Sequence, residues 1–579
     1  MQTPASDRVP LPPEALLQRL HLSETRPAGE ILGRVRPRTT EIEGYRPLRS
    51  SLEWELSRLH WEQSGLLSFV DNEVPYLINN TGRLSESAAA LLFANLRESP
   101  GGDAPIRILE LGAGTGLFAR YFLDAFETIC EQEGHSFYDR LTYLVSDNSP
   151  RTVAQWTERQ LFADHAGHVI VGTCDGGDVA TFRSAAGELV AVGRLRAVFC
   201  NYVLDVLPAA VVRPGTSGCE ELCVRTHLVD DPSVIGQYTE LTIAAIRALA
   251  ASDRREDRAR LVPLATLFEL ETAFLPAASP PPGSEEAIAF APGASRVVLN
   301  FGALACVDDC LGRLVDDGFV LINDYGATTT VETTEQSATQ RFGPTVALGL
   351  NFPLLENHVR RRGAVVMVPD GDEDRALHTR LVARRELPRT GESLRNRFSR
   401  EADRYFEVAL EEARQSAGAG RHEEALSRYK EALSRAPRDW QVVGEAAEFV
   451  GLRLRDHESG IELARAALAL NPWYSAWLWN VLGDCLFCLG RTADAHEAYL
   501  QALRIHPTDA RTSLNLAYTL LQRGAFAEAL ASIATGLAND AGGLYRLRLL
   551  EKQEQILSSL GLRVRTEQER LADRIARFR

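Results

Sequence analysis

The chain has 579 residues, 45% hydrophobic and 24% charged, and its 78 acidic against 63 basic side chains leave a net charge of −15 at neutral pH. That composition describes a folded globular protein and argues against long disorder, while the acidic surface on average repels nucleic acid and anionic membranes. At about 150 residues per domain, three or four units are expected.

The 9 cysteines are odd in number and scattered, which favours a reducing compartment over a disulfide framework. Cys219/Cys223, Cys306/Cys310 and Cys485/Cys488 are close pairs with no compact ligand set around them, so they read as buried or semi-buried thiols and no metal site is expected. No apolar run reaches the roughly 18 residues of a membrane span, and a cytoplasmic protein is expected.

In chain order, residues 1–50 are punctuated by Pro and Arg and read as an N-terminal arm with a helix candidate at Leu16, Leu17 and Leu20. Helical spacing follows at Leu52, Leu56 and Leu59, and again at Ala88, Leu91, Leu92 and Leu96 before the Pro100-Gly101-Gly102 break. Ile106, Ile108 and Leu109 then form a strand ending at Glu110 and Leu111. Gly112, Gly114 and Gly116 make a turn, and Leu117, Phe118, Tyr121 and Phe122 restart at helical spacing.

A strand, a glycine turn and a helix start can bring backbone N–H groups close to a nucleotide-like ligand. The same stretch also fits an ordinary αβ connection, or dinucleotide binding, since Gly114, Gly116 and Ala119 satisfy G-x-G-x-x-A. Against dinucleotide binding stand the extra Gly112, the acidic Glu110, and a next acidic strand end that comes only at Asp147. Leu141–Ser146 is that strand. Asp147 at its tip is read, given Glu110 and the glycines upstream, as placed for a ribose diol, with an N-cap before Pro150 as the alternative. The third strand, Val169–Val171, leads to Asp175, a candidate for the adenine amino group or a polar turn residue. Strands Ala197–Cys200 and Phe319–Ile322 end at Asn201-Tyr202 with Asp205 beyond, and at Asn323-Asp324-Tyr325. A closing hairpin is expected from Ala364–Val368 and Thr379–Val382. Between Pro208 and Val298 lie strand-like Leu222–Leu228, a helix near Leu241–Leu249 and a Pro-rich stretch at Pro276–Pro282, which together read as an inserted lobe.

Glu110-x-Gly112-x-Gly114-x-Gly116 resembles motif I of class I S-adenosylmethionine (SAM) methyltransferases. With Asp147-x-Ser149-Pro150, Asn201-x-x-x-Asp205-x-Leu207-Pro208 and Asp324-Tyr325-Gly326 in order, residues of roughly 50–385 resemble the MidA family of SAM-dependent methyltransferases, relatives of the mitochondrial complex I assembly-factor methyltransferase. Asn80-Thr81-Gly82 with Ser85-Glu86-Ser87, and Leu350-Asn351-Phe352, are similar to further family segments. The resemblance implies an α/β Rossmann-like domain over 51–389 with a lobe inserted at about 209–297. It also implies SAM as cofactor, held by Glu110, Gly112, Gly114, Gly116, Asp147 and Asp175, and methyl transfer beside Asn201, Tyr202 and Asp205. The implied acceptor is a protein or peptide, with an arginine side chain by analogy. Tyr202 stands where the family usually carries Glu.

Beyond Arg389 the pattern is helical and repeated: Ala432-Leu433, Ala467-Leu468 and Ala502-Leu503 recur every 35 residues, each pair followed by a proline. Trp479, Leu482, Gly483, Gly490, Ala495, Tyr499, Ala502 and Pro507 closely resemble the tetratricopeptide (TPR) consensus. An all-α TPR solenoid over 390–579 is expected, with a polar capping helix from Glu551 and a protein or peptide bound through Trp477, Asn480 and Asp484 on the concave face. Two readings follow. One is a SAM-dependent protein methyltransferase whose repeats recruit the acceptor or a partner; the other is a TPR adaptor whose methyltransferase-like domain only senses SAM or is inactive.

Overall fold

The computed structural model describes residues 38–66, 69, 81–99, 101–102, 104–216, 218–335, 340–342, 345–540 and 543–578. The helix candidate at Leu16–Leu20 and the residue Asn80 lie outside the described residues. The chain forms two compact units, the smaller built from the described residues up to Leu56 together with Leu222–Phe274, and the larger from Ser57–Glu221 with Leu275–Arg579. In the smaller unit the expected arm supplies a strand, Thr39–Pro47, which pairs antiparallel with Gly218–Val229 from Thr39↔Val229 to Pro47↔Cys223. The helix expected near Leu241–Leu249 is Ile243–Ala250.

The larger unit is built on an eight-stranded sheet. Its strands are β1 (Ile106–Leu111), β2 (Leu141–Asp147), β3 (Val169–Asp175), β4 (Asp178–Ser184), β5 (Leu195–Asn201), β6 (Leu314–Asp324), β7 (Val365–Met367) and β8 (His378–Ala383). They lie in the order β7-β8-β6-β5-β1-β2-β3-β4, with β6, β5, β1, β2 and β3 parallel and the outer strands antiparallel. β4 was not expected from sequence; its buried residues Val179 and Phe182 are two isolated apolar positions in an otherwise polar stretch.

Alternate residues of each central strand face opposite layers. Ile106, Ile108, Tyr143, Ala197, Phe199, Phe319 and Leu321 join one core with helices α1 (Arg83–Glu98) and α2 (Leu117–Glu133), while Leu109, Leu111, Leu144, Val198, Val320 and Ile322 join the other. Strands buried on both faces need near-continuous apolar runs, which explains why these were the most legible elements in the sequence.

The helices beyond Arg389 pair as the 35-residue period requires. They are α4 (Arg400–Gly418) with α5 (His422–Arg435), α6 (Trp440–Glu448) with α7 (His457–Leu470), α8 (Ala476–Cys488) with α9 (Thr492–Ile505), and α10 (Ala510–Gln522) with α11 (Phe526–Asn539); helix α3 (Pro150–Glu158) belongs to the α/β sheet. The last helix, α12 (Arg546–Phe578), covers the end of the array. Ser399, Asp439, Asp456, Ser475 and Asp509 cap α4, α6, α7, α8 and α10 by accepting a backbone N–H with their side chains. Gly483 is small because the Tyr499 ring of the paired helix lies 2.5 Å from where a Cβ would stand. The apolar core around α2 continues into Trp440, Val443, Tyr474 and Leu478, so the α/β sheet and the repeats share one interior.

Candidate active site

Between β1 and α2 the chain turns through Gly112, Gly114 and Gly116 at φ of 61°, 53° and 74°, a region that side chains rarely enter. Each glycine also makes a close approach: a Cβ on Gly112 would meet Val203, one on Gly114 the Phe69 ring and one on Gly116 Leu161, all at 2.7–2.8 Å, with Trp156 at 3.1 Å from the last. The turn is held from several sides. Gly114 N–H donates to Asp147 Oδ2 at 3.1 Å, and the Trp156 indole donates to the Gly114 carbonyl at 3.0 Å. The Tyr474 hydroxyl, from the loop between α7 and α8, donates to the Thr115 carbonyl at 2.7 Å.

Asp147 closes β2 and spends its other oxygen on the Ser149 N–H at 2.9 Å, while Ser149 itself caps α3. The carboxylate therefore ties the glycine turn to the next helix start and keeps partial access at the strand tip. Burial pushes its carboxyl up to about 6 against those backbone donors.

Glu110 is 1% exposed and points into the same layer as the aromatic core, where a hydrogen-bonded chain crosses the sheet to reach it. Thr379 Oγ1 donates to Asn323 Oδ1 (2.8 Å), Asn323 Nδ2 to Asn201 Oδ1 (2.8 Å), and Asn201 Nδ2 to Glu110 Oε1 (3.4 Å). From the other side Tyr143 donates to Glu110 Oε2 at 3.1 Å. Every donor points toward Glu110, which favours the carboxylate, yet burial dominates and pushes the group up to about 8. Register places this chain, since Asn323 lies opposite both Asn201 and Thr379.

At the ends of β5 and β6 the backbone bends sharply, with Tyr202 at φ 55°. Asp324 holds this bend: its Oδ2 accepts from Leu204 N–H (2.9 Å) and Asp205 N–H (3.3 Å), and its Oδ1 accepts from Tyr325 N–H (2.8 Å). Asp205 and Asp324 are both buried, and Asp205 Oδ1 has no hydrogen-bond partner among the described residues. Burial raises both carboxyls, Asp205 to about 7, and their mutual repulsion raises Asp324 further, so the pair keeps a proton at neutral pH. The Tyr202 and Tyr325 rings stack beside them at 5.0 Å, 23° from parallel.

The structure thus gathers Glu110, Gly112, Gly114, Asp147, Asn201, Tyr202 and Asp205 at the carboxyl ends of β1, β2 and β5. Asp175 sits in the exposed β3–β4 turn and accepts from Gly177 N–H at 2.8 Å, a turn-forming role in itself. Asp324 and Tyr325 stood in the sequence as one piece of a motif without a role. Trp156 and Tyr474 carried no signal, because only the fold brings them to the turn.

In the repeats, Asn480 is not a free groove residue: it is buried, and its amide donates to Thr512 Oγ1 at 2.6 Å. Asp484 accepts from Tyr499, Arg511 and Asn515 at 2.7–2.9 Å, and the half-buried Trp477 donates to Glu448 at 2.9 Å. Both polar positions bind neighbouring helices together. Of the cysteines read as buried pairs, Cys488 is exposed.

Residues 89–348 match the model of a family described as "Putative S-adenosyl-L-methionine-dependent methyltransferase". The matched span is a little under half of the chain, and it is that family which these residues are similar to. Its cofactor is SAM, and the glycine turn of the methyltransferase domain lies inside the matched span. Residues 489–551 match the tetratricopeptide repeat model.

A Burkholderia thailandensis protein crystallised with S-adenosyl-homocysteine is 17% identical, covering 63% of this chain and 82% of its own, with a TM-score of 0.36. The Yersinia enterocolitica type III secretion chaperone SycD, in complex with a translocator peptide, is 20% identical over 21% of this chain and 92% of its own, with a TM-score of 0.20. A stretch of 83 residues is 34% identical to the peroxisomal targeting signal receptor of Candida albicans, and it spans 14% of this chain and 14% of that receptor. No helix among the described residues is long and apolar enough to cross a membrane.

Proposed function

We propose that this chain is a cytoplasmic SAM-dependent methyltransferase acting on a protein or peptide side chain, arginine being the first candidate, and that its repeats recruit the acceptor or a partner. The observation that carries the reading is the meeting of the glycine turn with the β5 tip. Gly112 packs on Val203, two residues from an aspartate whose buried Oδ1 has no hydrogen-bond partner among the described residues. That orphaned oxygen beside a turn of three positive-φ glycines fits a polar, cationic cofactor. Gly112, Gly114, Gly116 and Asp147 would hold SAM, with Asp175 at the rim and Glu110 fixing the strand end beneath.

SAM supplies an activated methyl on its own leaving group, so the protein has mainly to align the acceptor and exclude water. Asn201 fixes the strand tip, Tyr202 stacked on Tyr325 offers an aromatic wall to a cationic side chain, and Asp205 takes the proton that the acceptor gives up.

A second reading, a TPR adaptor with a SAM-sensing or inactive domain, draws on Tyr202 at the usual Glu position and on the Phe69 ring against Gly114. Calorimetry with SAM, S-adenosyl-homocysteine and NAD tests the cofactor: heat with NAD and none with SAM refutes the proposal. Mass spectrometry of lysate incubated with labelled SAM separates the two readings, because an adaptor binds without labelling any protein.

A further inference from the structure

The loop between α7 and α8, residues 471–475, belongs to the repeats by sequence and to the glycine turn by contact. Tyr474 is 1% exposed, and its hydroxyl donates to the Thr115 carbonyl at 2.7 Å, in the middle of the turn. Its backbone is fixed by its own loop, since Asn471 Oδ1 accepts the Tyr474 N–H at 3.2 Å. Its ring carries the Arg159 guanidinium at 5.0 Å from the centroid, and Arg159 in turn donates to the Trp473 carbonyl at 3.3 Å. On the neighbouring peptide the Trp156 indole holds the Gly114 carbonyl.

A glycine turn has few side chains to define it; inside this one Gly116 N–H donates to the Ala113 carbonyl at 2.8 Å, and the remaining support of its peptide planes comes from outside. Two consecutive carbonyls of this turn are held by aromatic donors, one from the α/β sheet's own helix α3 and one from the repeats. Each carbonyl so fixed also fixes the N–H on the other side of the same planar peptide unit. A second bond across the same junction, Tyr121 hydroxyl to the Leu470 carbonyl at 2.9 Å, anchors the array to α2 without touching the turn.

We infer that Tyr474 is a positioning residue for the cofactor turn, so that the repeat array completes the geometry of the methyltransferase domain's cofactor site. The inference rests on the SAM reading above for its effect on affinity, but not for its effect on the turn itself.

The test uses the full chain carrying Tyr474→Phe, which keeps the ring and removes the hydroxyl, with Tyr121→Phe as a control that removes a comparable bond at the same junction. Amide exchange of residues 113–117 in the absence of ligand is expected to rise in Tyr474→Phe and to stay at the wild-type rate in Tyr121→Phe. S-adenosyl-homocysteine affinity by calorimetry is expected to fall about threefold to tenfold in Tyr474→Phe alone, the scale of one lost buried hydrogen bond. Equal exchange in the two variants, or equal loss of affinity, overturns the inference, because a general loosening of the junction would then explain both. If the wild type itself binds no S-adenosyl-homocysteine, the cofactor reading falls, and the exchange data still decide the role of Tyr474.

Discussion

Replacing Glu110 by Gln tests whether the buried carboxyl at the end of β1 is as costly as its surroundings imply. Burial raises its pKa from an ordinary 4.5 to about 8. Between those values the folded protein holds a proton that the unfolded chain has released, so stability falls as pH rises through this window and levels off above it. The slope is at most ~1.4 kcal/mol per pH unit, and the whole window carries on the order of 5 kcal/mol as a ceiling. Gln keeps the shape and a hydrogen-bonding amide and removes the titration; the Tyr143 hydroxyl can turn to accept from it. Urea unfolding of ligand-free wild type and Glu110→Gln at pH 5.5 to 9 is the assay. The variant should gain on wild type by about 1 kcal/mol per pH unit between pH 6 and 8, then run parallel to it. Asp205 is also raised and tilts both proteins alike, while the nearby Asp147 charge is itself one of the causes that raise Glu110, so the difference reports Glu110 in the field of Asp147. A difference that does not change with pH would refute the reasoning, and would mean that water or rearranged donors already solvate this carboxylate.

Asp147→Ala removes the acceptor for the Gly114 and Ser149 N–H groups and should weaken SAM by about 1 to 3 kcal/mol in calorimetry; unchanged affinity in a folded variant would leave Asp147 a turn residue only. Gly116→Ala forces a Cβ to within 2.7 Å of Leu161 at positive φ, so thermal unfolding should show a loss on the order of 1–3 kcal/mol, whereas a wild-type melting temperature would mean that Leu161 and the turn can both give way. A fragment ending at Arg389 loses the Tyr474 and Tyr121 bonds and uncovers the α2 face that continues into Trp440 and Tyr474. It should melt well below full-length protein and bind S-adenosyl-homocysteine more weakly, and equal values for the two would show that the shared interior contributes little.

How much of this was legible in the sequence depended on how local the cause was. The parallel strands announced themselves because burial on both faces demands apolar runs such as Ala197–Cys200 and Phe319–Ile322. The glycine turn did so because the backbone there must take positive φ, and the repeats because each helix pair needs the same small residues, such as Gly483 against Tyr499, every 35 residues. Polar roles were less legible. A carboxylate looks the same in sequence whether it faces a ligand, bridges two backbone amides as Asp147 does, closes its own turn as Asp175 does, or ties helices together as Asp484 does.

What tertiary structure alone decided were partnerships over long stretches of chain. Thr379, Asn323, Asn201 and Glu110 form one hydrogen-bonded row because the strand order β8-β6-β5-β1 sets them side by side, an order that no local pattern encodes. Tyr474 reaches Thr115 across 359 residues because the repeats and the sheet share one apolar interior. Sequence period specifies which face of an element is buried; which other element covers that face is set by the packing of the whole chain, and there the cofactor turn acquires its outer support.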